Sequence, residues 1–230
     1  MPTRAIIALL VAATAFIDAS AGSAAPARAS GNPYFPLDPG TTYVYQGVRD
    51  GQPTRDVVTV TRRTVVIQGV TCVVVHDDLF VNGTRFETTD DYYALDQLRN
   101  VHYYGEDTKE LDAQGHVVST EGTWRAGVDG AQSGIIMQGN PRVGQRYREE
   151  FYRGHAEDQA KILSLSASVS VPFGTFGDAL QTKNWARLDP GVVENKYYAP
   201  NVGLVHEQDL KGGTDSSDLV SVTPGENGSQ

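Results

Sequence analysis

The residues of this chain that could do chemistry gather between Thr84 and Arg125. Asp90, Asp91, Glu106, Asp107 and Glu121 are threaded among Phe86, Tyr92, Tyr93, Tyr103, Tyr104 and Trp124. Carboxylates on one face can hold a divalent cation, or act as an acid/base pair of the kind that cleaves glycosidic bonds. Whether they share a face depends on register, because strand side chains alternate between faces. A turn at Gln97-Leu98 that pairs Tyr92 with Tyr103 sets Asp90 opposite Gly105 and Thr88 opposite Asp107. A turn at Ala113–Gly115 that pairs Asp107 with Glu121 then gathers Asp90, Asp107 and Glu121 beside Tyr92 and Tyr103. Tyr93, Tyr104, Glu106 and Trp124 take the other face. Like charges directly opposite are destabilising, so the cluster calls for a cation, a basic side chain such as Lys109 or Arg85, or a proton held by a raised pKa. Asp90, Asp107 and Glu121 are the expected metal ligands, with a divalent cation as the expected cofactor. The same residues equally suit the solvated outer face of an acidic protein.

The eleven tyrosines suggest a second kind of site. Tyr92, Tyr103, Tyr152 and Tyr197 on the concave side of a curved sheet would make walls that are apolar with polar points, the usual character of a small-ligand pocket. Ordinary core packing is the competing use of those rings. Other groups are weaker candidates. His155-Ala156-Glu157 with Asp158 could ligate zinc, but also reads as a polar turn. Arg146, Arg148 and Arg153 beside Glu149 and Glu150 read as cross-strand ion pairs. Glu194 and Lys196 read as surface, and His206 as structural. No nucleophile elbow, phosphate loop, dinucleotide fingerprint or paired Cys-x-x-Cys occurs.

The elements that must position these groups are strands. Thr41–Val48, Asp56–Ile67, Val70–Val81, Thr84–Asp96, Val101–Leu111, His116–Arg125, Gln145–Arg153, Asp158–Leu165, Ala179–Leu188, Val192–Ala199 and Leu204–Lys211 are rich in β-branched and aromatic residues and are punctuated by turns. Asn82-Gly83 predicts a type I′ hairpin. Ala126 to Pro141 is too rich in glycine for a regular element and reads as a long loop. So many antiparallel strands must curl, split or close. The expected fold is all-β: an antiparallel meander forming a strongly curved half-barrel or a closed barrel.

Residues 1–24 have a basic start, an apolar run from Ala5 to Ile17 and small residues at the cleavage positions, the pattern of a secretory signal peptide. Residues 25–40 read as an extended lead-in, 41–223 as a single β domain and 224–230 as a disordered tail. Cys72 is the lone cysteine and lies in an apolar strand, so it reads as a buried small hydrophobe. The net charge of -9 argues against nucleic acid and anionic membrane surfaces, and no other apolar run is long enough for stable membrane insertion.

Tyr34-Phe35-Pro36-Leu37-Asp38-Pro39-Gly40-Thr41-Thr42-Tyr43-Val44-Tyr45 and Lys196-Tyr197-Tyr198-Ala199-Pro200-Asn201-Val202-Gly203-Leu204-Val205 resemble the two ends of a family of secreted bacterial β-sheet proteins known as hypothetical proteins. Gly105-Glu106-Asp107-Thr108-Lys109-Glu110 and Ala156-Glu157-Asp158 are similar as well. Asn201 stands where that family usually has glycine. The end motifs also resemble, more weakly, curved-sheet periplasmic carrier proteins. The resemblance implies a fold and a secreted or periplasmic location, and no site residues. A non-catalytic carrier of a small amphipathic ligand or partner segment is the leading expectation. An extracellular hydrolase or lyase using Asp107, Glu121 and a nearby histidine is the alternative.

Overall fold

The computed structural model describes residues 31–225. The signal-peptide expectation and residues 226–230 of the tail lie outside the described residues. Runs such as Asp56-Val57-Val58-Thr59-Val60 and Val70-Thr71-Cys72-Val73-Val74-Val75 become strands, as their β-branched content demands. The first five strands are β1 (Thr42–Arg49), β2 (Gln52–Ile67), β3 (Val70–Val81), β4 (Thr84–Leu95) and β5 (Val101–Leu111). Short pieces follow: β6 (Val117–Ser119), β7 (Trp124–Arg125), β8 (Gln132–Met137), β9 (Arg146–Arg148) and β10 (Glu150–Phe151). The last five are β11 (Asp158–Val171), β12 (Gly174–Ala186), β13 (Val193–Ala199), β14 (Gly203–Lys211) and β15 (Ser216–Thr223). Asn82 and Gly83 take φ of 51° and 75°, both positive as a type I′ turn requires.

The antiparallel sheet runs in the order β10-β8-β5-β4-β3-β2-β1-β15-β14-β13-β12-β11-β9. Its two edges, β9 and β10, are separated along the chain by Glu149 alone. The sheet therefore bends until its edges adjoin, and the result is a nearly closed barrel. Closure has a local cause at Gly134. A Cβ there would stand 2.2 Å from the Glu149 carbonyl oxygen, so only glycine lets β8 approach the seam.

Three expectations need correcting here. Gln145–Arg153 is not one strand: it breaks at Glu149, with β9 pairing β11 and β10 pairing β8. The glycine-rich segment is not wholly irregular, because it contains β8. His116–Arg125 is interrupted by a turn, and Glu121 sits in that turn rather than on a strand. The chain also adds β15, whose Ser216-Ser217-Asp218 start carries little strand signal. Its place is set by β1 and β14 on either side.

The two end motifs meet in space. The Asn201 amide donates to the Pro33 carbonyl at 2.6 Å, and Asn201 has a φ of 63°, the left-handed geometry for which glycine or asparagine is suited. Phe35 packs edge-on against Tyr93, with ring centroids 5.0 Å apart. Tyr34, Phe35 and Leu37 of the lead-in thus pack against the barrel core, which includes Tyr43, Tyr93, Tyr198 and Val205. Cys72 is fully buried and its thiol is pushed up to about 11 by burial, so it is a packing residue.

Candidate functional site

The register of β4 and β5 decides which carboxylates meet. Tyr93 lies opposite Tyr103, but Asp91 lies opposite Glu106 and Asp90 opposite Asp107. Between these pairs β4 advances two residues and β5 three, so Tyr104-Gly105 carries a bulge. Gly105 has a φ of 129°, and a Cβ there would come within 2.2 Å of the Trp124 carbonyl oxygen. Only glycine permits this bulge. Its effect is to turn both Tyr103 and Glu106 inward.

The expected faces are therefore corrected. Asp90 and Asp107 do share a face, but it is the outer one. Tyr103 instead faces inward with Tyr93, Asp91, Glu106 and Trp124, and Glu121 joins neither group. Both oxygens of Asp90 accept from Arg63 at 2.7 and 2.8 Å, and His76 lies 2.8 Å away. Burial would raise this carboxyl, but Arg63 and His76 outweigh it and hold it below the usual range. Asp107 is paired with Lys109 at 2.8 Å. Among the described residues, no group of three or more His, Cys, Asp and Glu side chains is placed to hold a metal ion. Asp107→Asn should change stability by no more than about 0.5 kcal/mol and produce no change in calcium or zinc heats by calorimetry, because its partner is a solvated surface lysine.

The four tyrosines do not line one pocket. Tyr92 packs under the Arg125 guanidinium on the outer face. Tyr197 is on the outer face too, where it takes a hydrogen bond from Gln181 at 2.9 Å. Tyr103 is internal and donates to Asp91 at 2.6 Å. Tyr152 stacks on His155 at the rim, with centroids 4.3 Å apart. His155 lies in a turn closed by the Tyr152–Ala156 bridge, and the buried Glu157 just after it accepts from the Gly154 amide. His206 pairs with Asp218 at 2.6 Å on the outer face.

The unusual chemistry is inside the barrel. Cross-strand pairing carries one face inward through Asp56, Asp77, Glu87, Asp91 and Glu106, and on the other wall through Asp158, Glu194 and Glu207. Glu149 and Glu150 add the seam. Burial, then neighbouring Glu106, pushes Asp91 up to about 8 against the hydrogen bond from Tyr103. Burial, then Asp158 and Glu106, pushes Glu150 up to about 8. Burial pushes Glu149 up to about 7, although Lys196 and the Asn184 amide, which donates to both its oxygens, oppose this. Asp56 and Asp77 are a carboxyl pair. Burial raises both, Asp77 far more, and the buried Oδ1 of each lacks a conventional partner. One proton shared between the two satisfies them.

Lys196 is the cation among these acids. Its ammonium lies 3.1 Å from Glu207 and 3.6 Å from Glu194. Burial alone would lower it, but Glu207, Glu194 and Tyr198 together hold it well above the ordinary lysine value. Glu194 and Lys196 are thus not outer-surface residues; they pair across the inner wall with Asn184 and Thr182, both buried. Solvent still reaches them, with 26% of the Lys196 side chain and 32% of each partner accessible. The inner face is thus in part a packed core, around Tyr43, Val60, Tyr93, Ile162 and Leu219, and in part polar and reached by solvent, around Lys196, Glu194 and Glu207.

A cleft of about 300 Å³ lies beside β7, where the wall is only two residues long. It takes Glu106 and Trp124 from the inner face, Asp107 and Arg125 from the outer face, and Tyr152 from the opposite rim. Glu106 is raised by burial and accepts from Thr108 at 2.6 Å. The Trp124 indole N–H is buried near Glu150 without a hydrogen bond of ordinary geometry. The cleft thus offers one raised carboxyl, Glu106, beside the aromatic rings of Trp124 and Tyr152. Sequence reasoning reached Tyr103 and Tyr152 and named Asp91 and Glu106 among the central acids without assigning them a site; it read Glu149, Glu150 and Lys196 as ion pairs or surface and missed Asp56 and Asp77. The available signal was an acid or lysine falling on the same alternation as apolar residues, as Asp56 does with Val58 and Val60.

No family model and no curated protein matches this chain. Among solved structures it is similar to one from Bacteroides fragilis described as a "putative exported protein with YmcC-like fold". That likeness covers 83% of this chain and 98% of the other at 14% identity, with a TM-score of 0.48. It is also similar to a "putative lipoprotein" from Parabacteroides distasonis, over 84% of this chain and 100% of that one, at 13% identity and a TM-score of 0.43.

Proposed function

We propose that this protein is an exported, non-catalytic binding or carrier protein whose barrel interior takes a small amphipathic ligand with a cationic head. Export rests on the signal-peptide pattern of residues 1–24. One observation carries the binding role: the inner face holds carboxyls raised towards neutrality in a space that solvent still enters. A protein building only a stable core would fill that space with apolar side chains. Raised carboxyls beside Tyr93, Tyr103 and Trp124 instead suit an ammonium group with an apolar body. The ammonium displaces the proton, and the rings pack on the remainder.

Octylamine is a suitable probe. Its affinity should rise about tenfold per pH unit between pH 6 and 8, with about one proton released for each molecule bound. Calorimetry in buffers of different ionisation enthalpy reads both quantities. Glu106→Gln should weaken binding, and octanoate should not bind. Equal affinity for octanoate, or an affinity indifferent to pH, would remove the proposal.

A further inference from the structure

The outer face of the barrel carries an independent feature on β9, β11 and β12. Lys161 lies directly opposite Arg146 on one side and Lys183 on the other. Three cations therefore stand in one row across three consecutive strands. Strands are ~4.8 Å apart, so the row is roughly 10 Å long. Trp185 follows on the same face, with the Lys183 ammonium 5.9 Å from its ring. Arg187 stands nearby, with its Nε 3.7 Å from Glu157.

Like charges directly opposite one another weaken a sheet. The row lines an open cleft of about 540 Å³ whose eleven lining residues include four cations and no acid. This occurs in a chain with 28 acidic residues against 19 Lys and Arg. Among the described residues, Arg146, Lys161 and Lys183 have no carboxylate partner. In an acidic protein, three aligned cations that no carboxylate pairs leave room for an external anion.

We propose that this cleft binds a phosphorylated ligand. Its phosphate oxygens lie along Arg146, Lys161 and Lys183, and its ring or apolar body packs on Trp185. The Arg146 guanidinium offers a fork that matches phosphate, and the lysines add point charges at a spacing that suits more than one phosphoryl oxygen. The volume lies in the range of small-ligand sites. The phosphate could belong to a soluble molecule or to a lipid headgroup, and the row would receive either in the same way.

Tryptophan fluorescence tests this, since Trp185 is partly accessible and Trp124 is buried. Phenyl phosphate and inorganic pyrophosphate should each give a saturable change at low salt that weakens as salt rises. Lys161→Gln and Arg146→Gln should each lower affinity at least tenfold, and the double variant should abolish it. Unliganded, Lys161→Gln should melt at or above the parent temperature, because a repulsion has been removed, so lost binding cannot be lost folding. Vesicles containing phosphatidylglycerol form the second arm. Retention on them that Lys161→Gln abolishes, without saturable binding of the soluble probes, assigns the phosphate to a lipid headgroup. Saturable binding of the soluble probes assigns it to a soluble ligand. The proposal is overturned if no probe binds saturably, if the variants bind as the parent does, or if phenylacetate binds as tightly as phenyl phosphate.

Discussion

Raising the pH from 5 to 9 should destabilise this protein by about 4 kcal/mol and lower its Tm by roughly 10 °C. Most proteins are indifferent over this range or lose stability towards acid. The reversal follows from the interior. Asp91 and Glu150, each pushed up to about 8, and Glu149, pushed up to about 7, hold protons more tightly folded than unfolded. Their contribution is full below about pH 4, where the unfolded groups are also protonated, and is lost as pH rises through 7 and 8. Asp91 alone, fully expressed, would be worth about 5 kcal/mol, and water reaching the interior screens part of that. Asp90 and Asp96 work in the opposite sense. Their lowered carboxyls add stability above about pH 4 that is lost on further acidification. The optimum should therefore lie near pH 5. Asp91→Asn should match the parent at pH 5 and melt above it at pH 9. Differential scanning calorimetry across that range checks both statements.

Lys196→Met should cost about 3 kcal/mol at pH 8 and clearly less at pH 5. At pH 8 the substitution leaves Glu207, Glu194 and Glu149 facing one another without the ammonium that now holds them together. Removing one partner from an enclosed ion cluster leaves uncompensated charge, which is why such losses exceed those of surface pairs. At pH 5 the raised carboxyls Glu149 and Glu194 take up protons and need the cation less. Urea unfolding at the two pH values measures the difference. An equal loss at both would mean that Lys196 acts through packing of its stem rather than through its charge.

The hairpins were legible because turns are local. Asn82-Gly83 needs only its two residues to declare positive φ. The all-β class and the curling of the sheet followed from strand number in the same way. Register was another matter. The bulge at Gly105 depends on the close approach of the Trp124 carbonyl, which belongs to a strand yet to come in the sequence. One extra residue there moved Glu106 inward and left Asp90 and Asp107 outside. Glu149 was unreadable for a similar reason. Its arginine neighbours suggest ion pairs, whereas its partner is Asn184, 35 residues away, across the seam that closes the barrel. Gly134 looked like loop composition because the backbone it admits, at Glu149, lies outside its own segment. Lys196 and Glu194 alternate as surface pairs do. Only a sheet bent through nearly a full turn makes their side an interior.

Carboxyl groups lining the barrel interior should stay protonated near neutrality. Carbon-detected NMR titration of the Asp and Glu side-chain carboxyls measures this residue by residue. Asp91 and Glu150 should titrate near pH 8 and Glu149 near pH 7, each shifting downward when octylamine is added. If every carboxyl in the folded protein titrates below pH 5, the interior is an ordinary solvated surface and the account is contradicted.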